Sequence, residues 1–120
     1  MTFVDEFAGY DSTKLIRLIA EARGLGMHFV LATQHPTAEV ISTAIKANLV
    51  TRVSFKTTGA AASHLVLGVG DAAALLPRGD CLVGTPSGMH RVQAGWVTGP
   101  DDQDDSDLAT LQRHLARRSA

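Results

Sequence analysis

Apolar positions in this chain cluster in short runs divided by polar turns, and each run has its own period. Thr2 to Val4 read as the end of a buried strand, "MHFVLAT" (27–33) as a second strand and "LVTRVSF" (49–55) as a third with alternating faces. Between the first two, Leu15, Ile16, Leu18, Ile19 and Ala22 recur at helical spacing. Asp11 or Ser12 can cap that helix, and Gly24 can stop it. "PTAEVISTAIKAN" (36–48) predicts a second helix opened by Pro36, with Val40, Ile41, Ala44 and Ile45 inward. "KTTGAAAS" is a small-residue stretch leading into "HLVLG", and "GDAAALLPRGD" predicts one or two helical turns ended near Pro77. "CLVGTPSGMHRVQAGWV" reads as two strands joined by the turn Thr85-Pro86-Ser87-Gly88. Strand, helix, strand, helix, strand is a βαβ order. It predicts an α/β fold: a parallel sheet flanked by helices, with a C-terminal antiparallel hairpin at its edge.

Composition narrows the class without naming a chemistry. The 120 residues are 45% hydrophobic and 19% charged, enough for one soluble domain with a core. A net charge of −1 gives no general attraction for polyanions, so any nucleic acid must be held locally. Cys81 is the single cysteine, which excludes an internal disulfide and fits a reducing compartment. No apolar run approaches the ~20 residues of a membrane span, and the N-terminus lacks the basic-then-apolar order of a signal peptide. Residues 99–107 form an acidic linker, and Leu108, Leu111 and Leu115 predict a short helix over 108–120.

The residues suited to chemistry sit at strand ends. Asp5 and Glu6 follow the first strand, where side chains of open α/β sheets enter the ligand crevice. One carboxylate there can hold Mg²⁺ through its water shell, and its neighbour can orient a water. Taken alone, such a pair serves equally well as a helix cap. Gln34, in "LATQHP", closes the next strand and can reach the same crevice with an amide that both donates and accepts. "GVGDAA" (68–73) imitates a dinucleotide fingerprint, but Pro77 cuts its helix short and Asp80 comes too early for the ribose acid. Cys81 and the five histidines show no metal-ligand spacing.

"VDEFAGY", "EARGLGMHFVLATQHPTAEVISTAIKANLVTRVSF" and "LLPRGDCLV", in that order, resemble the second half of the motor domain of FtsK/SpoIIIE translocases, in the HerA-FtsK class of P-loop ATPases. The resemblance implies a RecA-like core fragment over residues 1–98, ATP and Mg²⁺ as cofactors, double-stranded DNA as cargo and a homo-hexameric ring on the cytoplasmic side. It implies that Asp5 is the Mg²⁺-associated acid, Glu6 activates water, Gln34 senses the terminal phosphate and Arg23 reaches a neighbouring subunit's site. Arg52, which begins the third strand, is the second candidate for that reach. The chain departs from the pattern in three ways. It has no G-x-x-x-x-G-K-[ST], its connection from Asp5 to the following helix is short, and Ala60 and His64 stand where the family's DNA-facing loop carries cations. His35, Lys46, Lys56 and His64 are the remaining candidates for DNA contact. Two other readings stay open: a protein-translocating relative of the type VII secretion kind, and a non-catalytic adaptor or truncated copy.

Overall fold

A computed structural model describes residues 1–95. Strand β1 (Thr2–Val4) runs parallel to β2 (Phe29–Leu31), with Thr2 opposite Phe29 and Val4 opposite Leu31. Helix α1 (Ser12–Arg23) makes the crossover. Its first turn is satisfied by Asp11, whose carboxylate accepts from the amides of Thr13 at 3.0 Å and Lys14 at 3.2 Å. Leu15, Ile19 and Ala22 form its buried stripe. Leu18, expected inward, is 51% exposed, because it borders the stripe on the side away from Ile16, which does pack on the core. The stop also differs from expectation. Gly24 remains right-handed, and the reversal is made by Gly26 at φ 69°, a conformation that costs glycine little.

The second helix is shorter than its apolar pattern. Helix α2 covers Thr43–Asn48, capped by Ser42, whose hydroxyl accepts from the Ile45 amide at 3.3 Å. Residues 37–41 make a separate turn closed by the Ile41 amide on the Thr37 carbonyl at 2.8 Å. The Thr37 hydroxyl also takes the Val40 amide, and the β-branched pair Val40-Ile41 gives the helix little support. Pro36 therefore opens a turn and not the helix. Ala44 is exposed, while Ile45 is 2% exposed and lies at the centre of the packing.

The third strand corrects the expectation of a continuous parallel sheet. Strand β3 (Arg52–Phe55) pairs antiparallel with β4 (Asp80–Thr85), which pairs antiparallel with β5 (Gly88–Gln93). The molecule thus has a two-stranded parallel sheet and a three-stranded antiparallel one. In β3 the buried residue is Ser54, and Val53 and Phe55 are about half exposed, so the strand turns its apolar side outward. Helix α3 (Ala60–Leu67) covers the second half of the small-residue stretch and runs on through "HLVL". It is tied to the next segment by Ser63, fully buried, whose hydroxyl donates to the Val69 carbonyl and accepts from the Ala72 amide. One 3-10 turn (Asp71–Ala74) follows and ends ahead of Pro77, and the β4–β5 hairpin turns at Pro86-Ser87, both as the sequence predicts.

Each sheet has its own core. Phe7, Leu15, Ile19 and Ile45 pack under β1–β2, with Val4, Phe29 and Leu31 against them. Leu67, Ala72, Leu75 and Leu82 pack between α3, the 3-10 turn and β4. The first core fixes the carboxyl ends of β1 and β2 side by side.

Candidate functional site

Two backbone bonds pin the chain where it leaves β1: the Ala32 amide donates to the Val4 carbonyl at 2.9 Å, and the Phe7 amide donates to the Ala32 carbonyl at 3.0 Å. Asp5 and Glu6 lie between these anchors. Glu6 adopts φ 47°, ψ 56°, a left-handed conformation that costs a non-glycine residue about 1 kcal/mol or more. Three hydrogen bonds offset that cost. Asp5 Oδ1 accepts from the Glu6 amide at 2.9 Å. Across the gap to β2, Glu6 Oε1 accepts from the Thr33 hydroxyl at 2.5 Å and Oε2 from the Gln34 amide at 3.1 Å. Thr33 Oγ1 itself accepts from the His35 amide at 3.0 Å. The 2.5 Å bond is of charge-assisted length.

These contacts set the charge state. The Thr33 hydroxyl first, then the Gln34 amide, hold the Glu6 carboxyl below its ordinary value, against a smaller opposing effect of desolvation. Glu6 is therefore an ionised, oriented carboxylate at neutral pH, with lone pairs left to accept from water.

Asp5 is exposed, one oxygen engaged by the Glu6 amide. Among the described residues no three His, Cys, Asp or Glu side chains converge to make a metal cage. Mg²⁺ needs none: it keeps several waters and uses one or two carboxylates together with substrate phosphates. Asp5 fits that role at one side of a Mg²⁺–phosphate group. The phosphates would require an amide nest that no motif in this chain provides.

The strand ends thus bring Asp5, Glu6 and Gln34 together, as the sequence predicts, and add Thr33. The arginines lie elsewhere. Arg23 is the exposed last residue of α1 and, with Met27, His28, Asn48 and Val50, lines an open cavity of about 390 Å³. That cavity lies where β2 begins, the opposite end of the strand from Thr33. Arg52 begins β3, half-buried, and its buried Nε makes no hydrogen bond to a described residue.

The DNA-contact candidates are spread over separate segments. His35 is exposed just beyond β2, Lys46 is half-buried on α2, and Lys56 is exposed directly after β3. Ala60 and His64 do not lie on a loop. They stand one turn apart on the exposed side of α3, and His64 Nδ1 is hydrogen-bonded to the Gly68 carbonyl at 3.1 Å.

Two arrangements escape sequence reasoning. Thr33 gives no motif signal of its own beyond its place within "LATQHP". The other is a clamp at the hairpin base. Asp80, 6% exposed, receives Arg91 through Nε at 2.9 Å and Nη2 at 2.6 Å, and takes the Leu76 amide at 2.8 Å. Arg91 first, then the Leu76 amide, lower the Asp80 pKa from 3.8 to about 2. Asp80 faces Gln93 in register, so Arg91 is its diagonal neighbour, a pairing visible only once the hairpin register is known.

No protein-family model matches the chain. Curated relatives do. The chain is 43% identical over 110 residues to a DNA translocase FtsK of Haemophilus influenzae, covering 86% of this chain and 21% of the relative. A Chlamydia pneumoniae DNA translocase FtsK is 41% identical over 91 residues, covering 74% and 11%. A Rickettsia prowazekii DNA translocase FtsK is 35% identical over 127 residues, covering 99% and 16%. The chain therefore spans only a small fraction of these relatives. Among solved structures, the cytoplasmic domain of the Thermomonospora curvata type VII secretion ATPase EccC aligns with TM-score 0.74 and 30% identity, over 95% of this chain and 14% of that one. The pCW3 conjugation coupling protein TcpA, solved as a monomer with ATPγS, aligns with TM-score 0.68 and 22% identity, over 97% and 36%. The second likeness speaks for the fold alone. The likeness to EccC places the α/β fold among P-loop ATPase domains.

Proposed function

Because the chain belongs to the FtsK family over the segment it shares with those translocases, we propose that it carries the hydrolysis edge of an ATP-driven motor that moves double-stranded DNA. The observation that carries this reading is the carboxylate of Glu6, ionised and bonded at both oxygens to the end of β2. Bound ATP·Mg²⁺ supplies the phosphoanhydride to be cleaved and the charge that offsets its phosphates. In this reading Glu6 orients and deprotonates the attacking water, Asp5 touches the hydrated metal, and Gln34 meets the terminal phosphate. The phosphate cradle comes from sequence other than these 120 residues. The division expected from the sequence is a motor segment over 1–98, a linker over 99–107 and a helix over 108–120; residues 96–120 of it lie outside the described residues.

Arg23, and after it Arg52, serve a neighbouring subunit in a homo-hexameric cytoplasmic ring, since both stand away from their own Glu6. An arginine supplied in trans contributes roughly 10³–10⁵ in rate. DNA meets the segments after β2 and β3 through His35, Lys46, Lys56 and His64. A second reading, a motor that moves protein, draws support from the likeness to EccC and from the neutral Ala60 on α3.

The test is a hybrid in which residues 1–95 replace the matching segment of the Haemophilus influenzae translocase. Duplex DNA should stimulate ATP turnover by the hybrid several-fold. Turnover that duplex DNA leaves unchanged would transfer the proposal to the protein-moving reading.

A further inference from the structure

The Thr33 hydroxyl has one proton and two lone pairs, and the structure accounts for the proton and one lone pair. Its oxygen accepts the His35 amide at 3.0 Å, two residues along. That bond fixes the rotor, because the hydroxyl proton must avoid the incoming N–H. The proton then has a single acceptor in line, Glu6 Oε1 at 2.5 Å. The bond spans 27 residues of sequence and joins the ends of two different strands. At the other carboxylate oxygen, Gln34 donates only its backbone amide, so side-chain changes at Gln34 leave that bond available. Glu6 sits at φ 47°, in a region glutamate rarely occupies, and needs its partners to stay there.

We infer that Thr33 is a positioning residue for Glu6: it aims the carboxylate through a hydroxyl whose own direction is set by the His35 amide. The inference rests on the proposed role of Glu6 in hydrolysis and deepens it. The path His35 amide, Thr33 hydroxyl, Glu6 carboxylate is a direct physical link between the segment beyond β2 and the group that handles water. Displacement of residues 34–37 by cargo would therefore alter the aim of Glu6. A valine at position 33 keeps the shape and the β-branch but has no hydroxyl, and a serine keeps the hydroxyl without the methyl.

The first experiment uses the 120-residue chain itself. Amide exchange is measured by NMR at Gln34 and His35 in the parent chain, Thr33→Val and Thr33→Ser. Thr33→Val should speed exchange at both amides about tenfold or more, and Thr33→Ser should keep it near the parent value. Equal protection in all three chains would overturn the inference. The second experiment places the same substitutions in the hybrid translocase. Thr33→Val should lower kcat about tenfold or more with KM within about twofold, and Thr33→Ser should restore most of it. If Glu6→Gln abolishes hydrolysis while Thr33→Val keeps the parent kcat, the inference falls and the proposed function stands. If Glu6→Gln leaves hydrolysis intact, the proposed function itself falls.

Discussion

Asp80 and Glu6 show what neighbours do to a carboxylate in this molecule. Both are held below their ordinary pKa by specific donors, yet one ties the hairpin together and the other stands at a strand end, bonded to the segment beyond β2. For Asp80 the linkage sign is definite. Its folded pKa of about 2 lies below the unfolded 3.8, so its contribution to stability is complete only above about pH 5 and is lost as pH falls toward and through 2. Asp80→Asn should lower the urea midpoint at pH 7 and flatten that acid limb. Equilibrium unfolding at several pH values checks both. An unaltered acid limb would mean that other carboxylates govern it. At this scale the sequence was legible where chemistry is carried by strand position: Asp5, Glu6 and Gln34 meet because their strands are neighbours. Thr33 was not legible, since its role depends on a hydrogen bond that requires the parallel register.

At the scale of elements, apolar periodicity located the strands and α1 but misjudged where the polar backbone is satisfied. Residues 36–48 carry a helical apolar pattern, yet Thr37 and Ser42 offer their hydroxyls to nearby amides and divide the segment into a turn and a short helix. The third strand was found, but its direction of pairing was not, because alternation reports a face and never a partner. Its partner β4 lies 25 or more residues on, after α3. The hairpin that completes this sheet starts from a strained corner. Arg78 sits at φ 70° and Gly79 at φ 95°, and the Gln93 side-chain amide donates to the Arg78 carbonyl at 2.8 Å. A Cβ at position 79 would lie 2.9 Å from Gln93 Nε2 and 3.0 Å from the Ala94 carbonyl oxygen. Gly79→Ala should therefore destabilise the chain by more than about 1 kcal/mol, through backbone strain and that close approach. Thermal unfolding measures it, and an unchanged midpoint would show that the corner relaxes freely.

For the molecule as a whole, charge sets what the cargo surface can do. Net charge −1 provides no general pull toward DNA, and the four basic candidates sit on separate segments. In the hybrid translocase, duplex DNA affinity should be modest and rise when Ala60→Lys and His64→Arg are combined. Both positions are exposed on one side of α3, so two new phosphate contacts should steepen the log–log salt dependence by about 2 units, without sequence preference. A salt titration on both versions checks this, and an unchanged slope would place α3 away from the cargo. The missing phosphate loop was plain from the sequence. The division into two sheets, each with its own core, was not, since hydrophobic patterning does not reveal how strands are grouped.

We propose that Glu6 performs the hydrolytic step while taking little part in nucleotide binding. One measurement separates these roles: single-turnover ATP cleavage and nucleotide affinity in the hybrid translocase, with and without Glu6→Gln. The substitution keeps the size but removes the base and one of the two acceptors, since an amide oxygen can keep the Thr33 hydroxyl or the Gln34 amide but not both. Cleavage should slow by roughly 10²–10⁴ with nucleotide affinity within about threefold. Cleavage at the parent rate, or a loss explained entirely by weaker nucleotide binding, would contradict it.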